Sequence, residues 1–462
     1  MSRLVVISNR VAVPKARGAA GAQGGLAGAL NAALRKNGGI WFGWSGQETD
    51  SFTGAIDRQT SDDGVTTATI DLEHRDIEEY YNGYANSTLW PLFHYRTDLT
   101  EHERQFGKGY ERVNELFASA VRPLIEPDDV VWVHDYHFMP LGDRLREKGV
   151  TNRLGFFLHI PWPPTNLLLS LPYHERLVRT LLQYDLIGFQ NDTWLASFLH
   201  YCENELGASI DREKGSVELD GRTTIARAYP IGIDYDHFMA KGETGDARQA
   251  QQRLMSSVRH RTAMIGVDRL DYSKGLPERL DGIARFFDRH PERTKDLVFI
   301  QIAPPSREDI ESYQNIRETL EAKAGQINGA RSDVDRTPVR YVNKGYSQEE
   351  LFGFYRACKI GLVTPLRDGM NLVAKEYVAA QDPDDPGVLI LSRFAGAAQQ
   401  MQDALLVNPH SPDDIAHHIR LALDMPLDER KARHEKLIVT VREDNVLRWT
   451  DNIIGDLEGL AR

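Results

Sequence analysis

Short runs of Val, Ile and Leu without polar alternation recur along the chain. They are separated by longer stretches in which apolar residues return every three or four positions. The runs predict buried strands at residues 4–8, 130–134, 154–159, 186–189, 262–267, 297–302, 339–342, 360–364 and 388–391. The periodic stretches predict helices at 103–121, 276–290, 306–327 and 348–358. Strands with no polar side are covered on both faces, and their alternation with helices predicts an α/β fold of doubly wound parallel sheets. A strand-like segment, 223–230, ends in Ile231-Gly232-Ile233-Asp234. A polar stretch, 240–252, follows it, and a fresh series of strands begins at Thr262. The pattern predicts two Rossmann-like domains facing a deep cleft, residues 1–235 and 236–444. The last helical pattern, about 445–462, is expected to pack back on the first.

Size agrees with two domains, because 462 residues exceed the ~250–300 at which one core stops growing. Hydrophobic residues make up 41% of the chain, too many for a disordered protein. Acidic residues outnumber basic ones 67 to 55, for a formal charge of −12, which argues against nucleic acid or an anionic membrane as partner. Two cysteines, Cys202 and Cys358, exclude a disulfide scaffold and suit a reducing cytoplasm. The apolar run at 4–8 is too short for a signal-peptide core. The uncharged stretch 154–173 is broken by Pro161, Pro163, Pro164 and Pro172, so no membrane span is expected.

Open α/β sheets bind ligands beyond the C-terminal ends of their strands, and unusual residues gather at those places. Ser8-Asn9-Arg10 precedes a glycine-rich run from Gly18 through Gly25 to Gly28, suited to close backbone approach by a phosphate but lacking the GxGxxG of dinucleotide sites. Aromatic clusters around Trp41, Tyr81 and Trp90 offer faces for sugars or, as blandly, core. His134-Asp135-Tyr136-His137 and His159 follow strands, and with no third ligand at helical spacing they fit polar contacts to a hydroxylated ligand better than a metal. In the second half, Arg269 and Lys274 stand five residues apart in VDRLDYSKGLP at a strand–helix junction, where they can converge on a diphosphate. TPLRDGMNLVAKE places Asp368 in a turn and Met370, Asn371, Leu372 and Val373 at a helix start. Glu376, farther along that helix, can chelate the vicinal hydroxyls of a ribose. Together these describe a phosphorylated sugar on one side and a nucleotide diphosphate sugar on the other.

The motifs LVVISNR, GGIWFGWSG, EYYNGYAN, LWPLFHYR, WVHDYH, FFLHIPWP, YPIGID, VDRLDYSKGLPER, QIAPPSR, TPLRDGMNLVAKEYVAAQ and LSRFAGAA span nearly the whole chain. On these it resembles the trehalose-6-phosphate synthases, retaining glucosyltransferases of the GT-B fold. The resemblance implies transfer of glucose from an NDP-glucose, by family habit UDP-glucose, to glucose 6-phosphate. It implies Arg10, Tyr81, Trp90 and Arg307 at the acceptor, with Trp41, Asp135 and His159 near the reacting sugars. On the donor side it implies Gly25, His159, Arg269, Lys274, Asp368, Met370, Asn371, Leu372, Val373 and Glu376, with Ile302 and Tyr346 at the base. Arg269 and Lys274, with His159 and Asp135, are the residues expected at the chemistry.

The implied reaction uses no metal and no cofactor, the NDP-glucose being a substrate. It is a same-face substitution in which the departing phosphate takes the acceptor proton, with Asp135 neither nucleophile nor base. A homo-oligomer, dimer or tetramer, and a separate downstream phosphatase are also implied. Two rivals stand beside this reading. A related GT-B transferase would take another acceptor, as glucosylglycerol-phosphate synthases or pseudo-glycosyltransferases do. A non-catalytic nucleotide-sugar sensor would have lost Arg269, Lys274 or Glu376, and all three are present.

Overall fold

The computed structural model describes residues 3–11, 25–62, 64–307 and 310–460. They form two compact units. The first runs to Ile231 and resumes at Val446; the second is Gly232–Asn445.

The first unit is built on a ten-stranded sheet. Its strands are β1 (Leu4–Arg10), β2 (Gly39–Thr49), β3 (Asp57–Thr60), β4 (Val65–Glu73), β5 (Val130–His134), β6 (Arg153–Phe157), β7 (Leu186–Phe189), β8 (Ser209–Asp211), β9 (Ser216–Leu219) and β10 (Arg222–Ala228). The order is β3-β4-β2-β1-β5-β6-β7-β10-β9-β8, parallel from β4 to β10, with antiparallel pairings at the two edges. β1, β5 and β7 are apolar and buried through their central residues, because helices cover both faces of the sheet. The helix Val446–Gly459 belongs to this layer. Trp449 packs its ring 4.8 Å from Trp132 and 5.0 Å from Phe157, and Tyr229 donates to Asp456 at 2.7 Å.

The second unit has six parallel strands: β11 (Thr262–Val267), β12 (Leu297–Ile302), β13 (Val339–Val342), β14 (Ile360–Val363), β15 (Val388–Ser392) and β16 (Leu405–Val407). Their order, β13-β12-β11-β14-β15-β16, reverses direction between β11 and β14. That reversal is the switch point at which such sheets bind ligands.

Several expectations need correction. The polar stretch at 240–252 is helical, in Tyr235–Gly242 and Gly245–Val258. Ala247, Ala250, Leu254 and Val258 form its buried stripe, which lies against the helix Gln348–Ala357. Gly353 permits that approach, since a Cβ there would stand 2.2 Å from the Ala247 carbonyl oxygen. The helix expected from residue 306 begins at Glu311 and runs to Arg331. The aromatic run at 41–46 lies on β2, a strand whose glycines and mixed polarity hide its period. No described helix is long and apolar enough to cross a membrane.

Candidate active site

In the first unit, Arg10, Asp135 and His159 stand at or just past the C-terminal ends of β1, β5 and β6, whereas Trp41 lies near the start of β2 and Tyr81 and Trp90 lie on helices. Arg10 closes β1 with its guanidinium over the rings of Trp44, at 4.4 Å, and Tyr81, at 5.3 Å. Tyr81 lies in a wide-turned helix, Ile77–Leu89, and its ring stacks on His137 at 6.1 Å. Asn86 ties this aromatic group together, donating to the Tyr81 carbonyl and accepting from the Tyr136 hydroxyl, each at 2.8 Å. Trp90 is buried beside His94 and Tyr136. Trp41 is only 1% exposed and gives its indole N–H to Ser8 Oγ at 2.8 Å, so it serves the sheet as much as any ligand. Gly25 opens the helix Gly25–Asn37, and the glycine-rich run 18–24 lies outside the described residues.

Asp135 follows β5 at φ 76°, a region that disfavours side chains, and Oδ1 accepts from the backbone N–H of Tyr136 and of His159. The carboxylate therefore fixes the ends of two neighbouring strands. His159 sits in a chain that also assigns its tautomer. The Ile231 N–H donates to Gln190 Oε1, which turns the Gln190 amide nitrogen toward His159 Nδ1 at 3.5 Å. His159 Nε2 then carries the proton and donates to His134 Nδ1 at 3.1 Å. Burial pushes the His159 imidazolium down to about 3 and holds His134 well below the usual range. Both rings are thus neutral at physiological pH, and any hydrogen-bonding ligand that reaches a His159 nitrogen competes with one of these contacts.

In the second unit, Lys274, Asp368 and Asn371 meet at the switch point, with Arg269 in the loop that carries Lys274 and Glu376 on the helix that Asn371 starts. Arg269 is exposed after β11, whereas Lys274 is largely buried and its ammonium pairs with Asp368 Oδ2. Asn371 donates to the same oxygen at 3.0 Å from a left-handed backbone, φ 72°, and starts the helix Leu372–Ala380. Met370 and Asn371 are buried, and Leu372 and Val373 are half-buried in the first turn. Glu376 is half-buried and takes a hydrogen bond from the Tyr355 hydroxyl at 3.3 Å; burial pushes its carboxyl up to about 7. Beyond β12 and β13, Ile302 and Tyr346 line a cavity of about 190 Å³ with Arg253, Ser257, Arg340 and Lys344. Arg307 has φ 49°, and its guanidinium lies against Asp271 and Tyr313.

The residue that sequence reasoning missed is Arg279, which is fully buried. Its Nη1 donates to Asp268 Oδ2 at 2.7 Å and Gln301 Oε1 at 2.9 Å, and its Nε to Thr364 Oγ1 at 2.9 Å. One guanidinium therefore joins the ends of β11, β12 and β14 beneath Lys274. Burial pushes the Asp268 carboxyl up while Arg279 pulls it back. The sequence held a signal: Arg279 falls on the apolar stripe of Leu276, Leu280 and Ile283, where a charge must find a partner. Among the described residues, no group of three or more His, Cys, Asp or Glu is placed to hold a metal ion.

Two doubly wound sheets with polar strand ends define an α/β ligand-binding architecture, and the comparisons give its class. The chain belongs to glycosyltransferase family 20, whose model matches residues 2–459. It is 46% identical to a trehalose-6-phosphate synthase of Sinorhizobium fredii over 99% of this chain and 98% of that one. It is 44% identical to another of Enterobacter sp., over 99% and 95%. A solved UDP-forming α,α-trehalose-phosphate synthase from Burkholderia xenovorans, in complex with glucose-6-phosphate, is 46% identical with a TM-score of 0.95, covering 99% of this chain and all of that one. An Escherichia coli structure bound with UDP-2-fluoro glucose is 40% identical with a TM-score of 0.94 over all of both chains. The fold is the α/β GT-B fold of these structures.

Replacing Arg279 by Met strands the Asp268 carboxylate in the core. Denaturant unfolding is expected to show a loss of about 3–5 kcal/mol. Adding Asp268→Leu is expected to return most of it, because the uncompensated charge is gone. A single variant as stable as the wild type would mean that Asp268 is not a buried charge.

Proposed function

We propose that this chain transfers glucose from UDP-glucose to glucose 6-phosphate with retention, giving trehalose 6-phosphate and UDP. The observation that carries the reading is its full-length relation, at 46% identity, to a UDP-forming synthase solved with glucose-6-phosphate. It is supported by Lys274, Asp368 and Asn371, donor-side candidates whose side chains meet on one carboxylate oxygen.

Arg269 and Lys274 are the donor diphosphate ligands. As the glycosidic bond breaks, negative charge grows on the leaving phosphate, and two fixed cations stabilise it more than they stabilise the intact donor. Lys274 uses one N–H on Asp368, which leaves two for phosphate oxygens. Asp368 takes hydroxyls of the transferred glucose, and the amides from Met370 to Val373 meet the phosphates at the helix start. Glu376 chelates the ribose, with Ile302 and Tyr346 at the base and Gly25 in the donor-side loop. Arg10, Tyr81, Trp90 and Arg307 take the acceptor phosphate, and Arg10 presents a planar fork suited to bidentate binding. Trp41, Asp135 and His159 orient the sugars. His159, being neutral, acts by hydrogen bonding rather than as an acid. The departing phosphate accepts the proton of the acceptor hydroxyl, and with Arg269 and Lys274 carrying the charge of the leaving group the reaction uses no metal or cofactor. The protein works in the cytoplasm as a dimer or tetramer, and a separate phosphatase consumes the product.

The test is a donor-by-acceptor screen of purified, EDTA-treated protein with UDP-, ADP- and GDP-glucose against glucose 6-phosphate, glycerol 3-phosphate and free glucose. An α,α-1,1-linked disaccharide phosphate is expected only with UDP-glucose and glucose 6-phosphate. Product confined to another acceptor would keep the donor site and overturn the acceptor. Arg269→Ala and Lys274→Ala are each expected to lower kcat by ~10²-fold or more. Near-normal turnover in both would remove them from the leaving group.

Glu376 makes donor binding depend on pH. Its carboxyl has an ordinary value of 4.5 and is raised to about 7 in the folded chain. Between these values the folded state binds more protons than the unfolded, so this group's contribution to stability falls as pH rises through that window. Ribose chelation has the opposite sign, since only the carboxylate accepts two hydroxyl protons. UDP-glucose affinity, measured by calorimetry, is expected to rise about tenfold from pH 6 to pH 8, as a group titrating near neutrality requires. In Glu376→Gln the profile is expected to be flat; a slope that survives the substitution would assign the titration elsewhere.

A further inference from the structure

The donor-side loop and Arg307 meet on one side chain that no role above uses. Asp271 is fully buried between them. Its Oδ1 accepts the Ser273 N–H at 2.9 Å, and its backbone carbonyl accepts the Lys274 N–H at 3.1 Å. These bonds shape the single helical turn Tyr272–Lys274 that presents Lys274. Its Oδ2 faces the other way. It accepts the Tyr313 hydroxyl at 3.2 Å and stands 3.7 Å from Arg307 Nη1, and Arg307 itself donates to the Tyr313 hydroxyl. The Arg307 side chain is almost as buried, 7% exposed, and its left-handed backbone is a strained conformation held by these partners. The Leu270 N–H bonds the Pro304 carbonyl at 2.9 Å, so the two loops are also stitched through their backbones.

The geometry points to Asp271 as a positioning residue that couples the two substrates: one carboxylate oxygen sets the turn carrying Lys274, and the other sets Arg307. The inference rests on the reading of Lys274 as a diphosphate ligand and Arg307 as an acceptor-phosphate ligand. A diphosphate that draws on Lys274 moves or stiffens the turn, and the same carboxylate carries that change to the guanidinium. Binding of nucleotide and of sugar phosphate is therefore cooperative, and by linkage the effect is mutual. Asp271 touches neither substrate.

The test is calorimetric titration of glucose 6-phosphate into the full-length protein, with and without saturating UDP. In the wild type UDP is expected to tighten glucose 6-phosphate about tenfold, within the usual range of coupling between sites. Asp271→Asn keeps shape and hydrogen-bonding capacity but removes the charge facing Arg307. It is expected to bring the factor to within about twofold of unity, while UDP alone binds nearly as before. Tyr313→Phe removes only the hydroxyl that bridges carboxylate and guanidinium; it is expected to reduce the factor too and serves if Asp271→Asn does not fold. A merely structural role would weaken both ligands without changing their ratio. A wild-type factor of one, or a wild-type factor retained in the folded variants, overturns the coupling. Arg307→Ala separates the two failures. If it binds glucose 6-phosphate as the wild type does, the acceptor reading fails; if it binds weakly while Asp271→Asn couples normally, only the inference fails.

Discussion

A parallel sheet covered on both faces leaves its chain one place for polar chemistry, the ends of the strands. β5, β7, β12, β14 and β15 are buried at every residue, and β11 at all but its first, so few side chains along them can meet a polar ligand cheaply. The first residues past those strands are the first that can. Asp135 stands there in one unit, with His159 past the neighbouring β6, and Asp268, Arg269 and Thr364 in the other. The sheet pays for this arrangement with charge at the edge of its core, and Arg279 resolves it by giving Asp268, Gln301 and Thr364 a common partner. Without that fork the ends of β11, β12 and β14 would each carry a desolvated polar group.

Strain falls at the same places. Among the described residues, seven that are not glycine have positive φ, and Asp135, Arg307 and Asn371 are three of them. Each turns the chain sharply after a strand or into a helix, and each carries a side chain held by at least one hydrogen bond or ion pair. Such conformations persist only where the surroundings over-determine them. Their concentration on residues picked out for their chemistry means that the loops are fixed by more than their own length.

Most strands were legible because a strand buried on both faces is a run of Val, Ile and Leu with no rival explanation. β5, β7, β11 and β12 fall where the pattern predicts them, as does the half-buried edge strand β13. β2 and β4 were not legible, since glycine, threonine and tryptophan on them obscure both the apolar run and the alternation. The helix Gly245–Val258 was hidden for another reason: its stripe is made of two alanines, a leucine and a valine in a polar sequence, which reads as a linker until a partner helix is seen against it. Of the candidate site, the loop residues could be named from motif and position. Of their supports, Arg279 left a trace as a charge on an apolar helix stripe, but Arg279, Asp271, Tyr313 and Gln190 each also act through partners 11 to 85 residues away in the chain, and no local spacing reveals such pairs.

Charge placement explains how a chain with formal charge −12 can present cations to anionic ligands. Lys274 is held by Asp368 and Arg307 faces Asp271, so each cation sits in a buried or half-buried pair that is nearly neutral. Neutral pairs cost less to desolvate than isolated charges, and they keep the ammonium and guanidinium aimed while leaving some of their N–H donors for a ligand. Arg10 is held differently. Among the described residues it has no carboxylate within ion-pair distance, and aromatic rings support it instead. A ring face attracts the cation without occupying the guanidinium's in-plane donors, so the whole fork remains available to a phosphate. A carboxylate partner aims the Lys274 ammonium and the Arg307 guanidinium but takes up some of their donors, whereas the rings beneath Arg10 leave every one of its donors free.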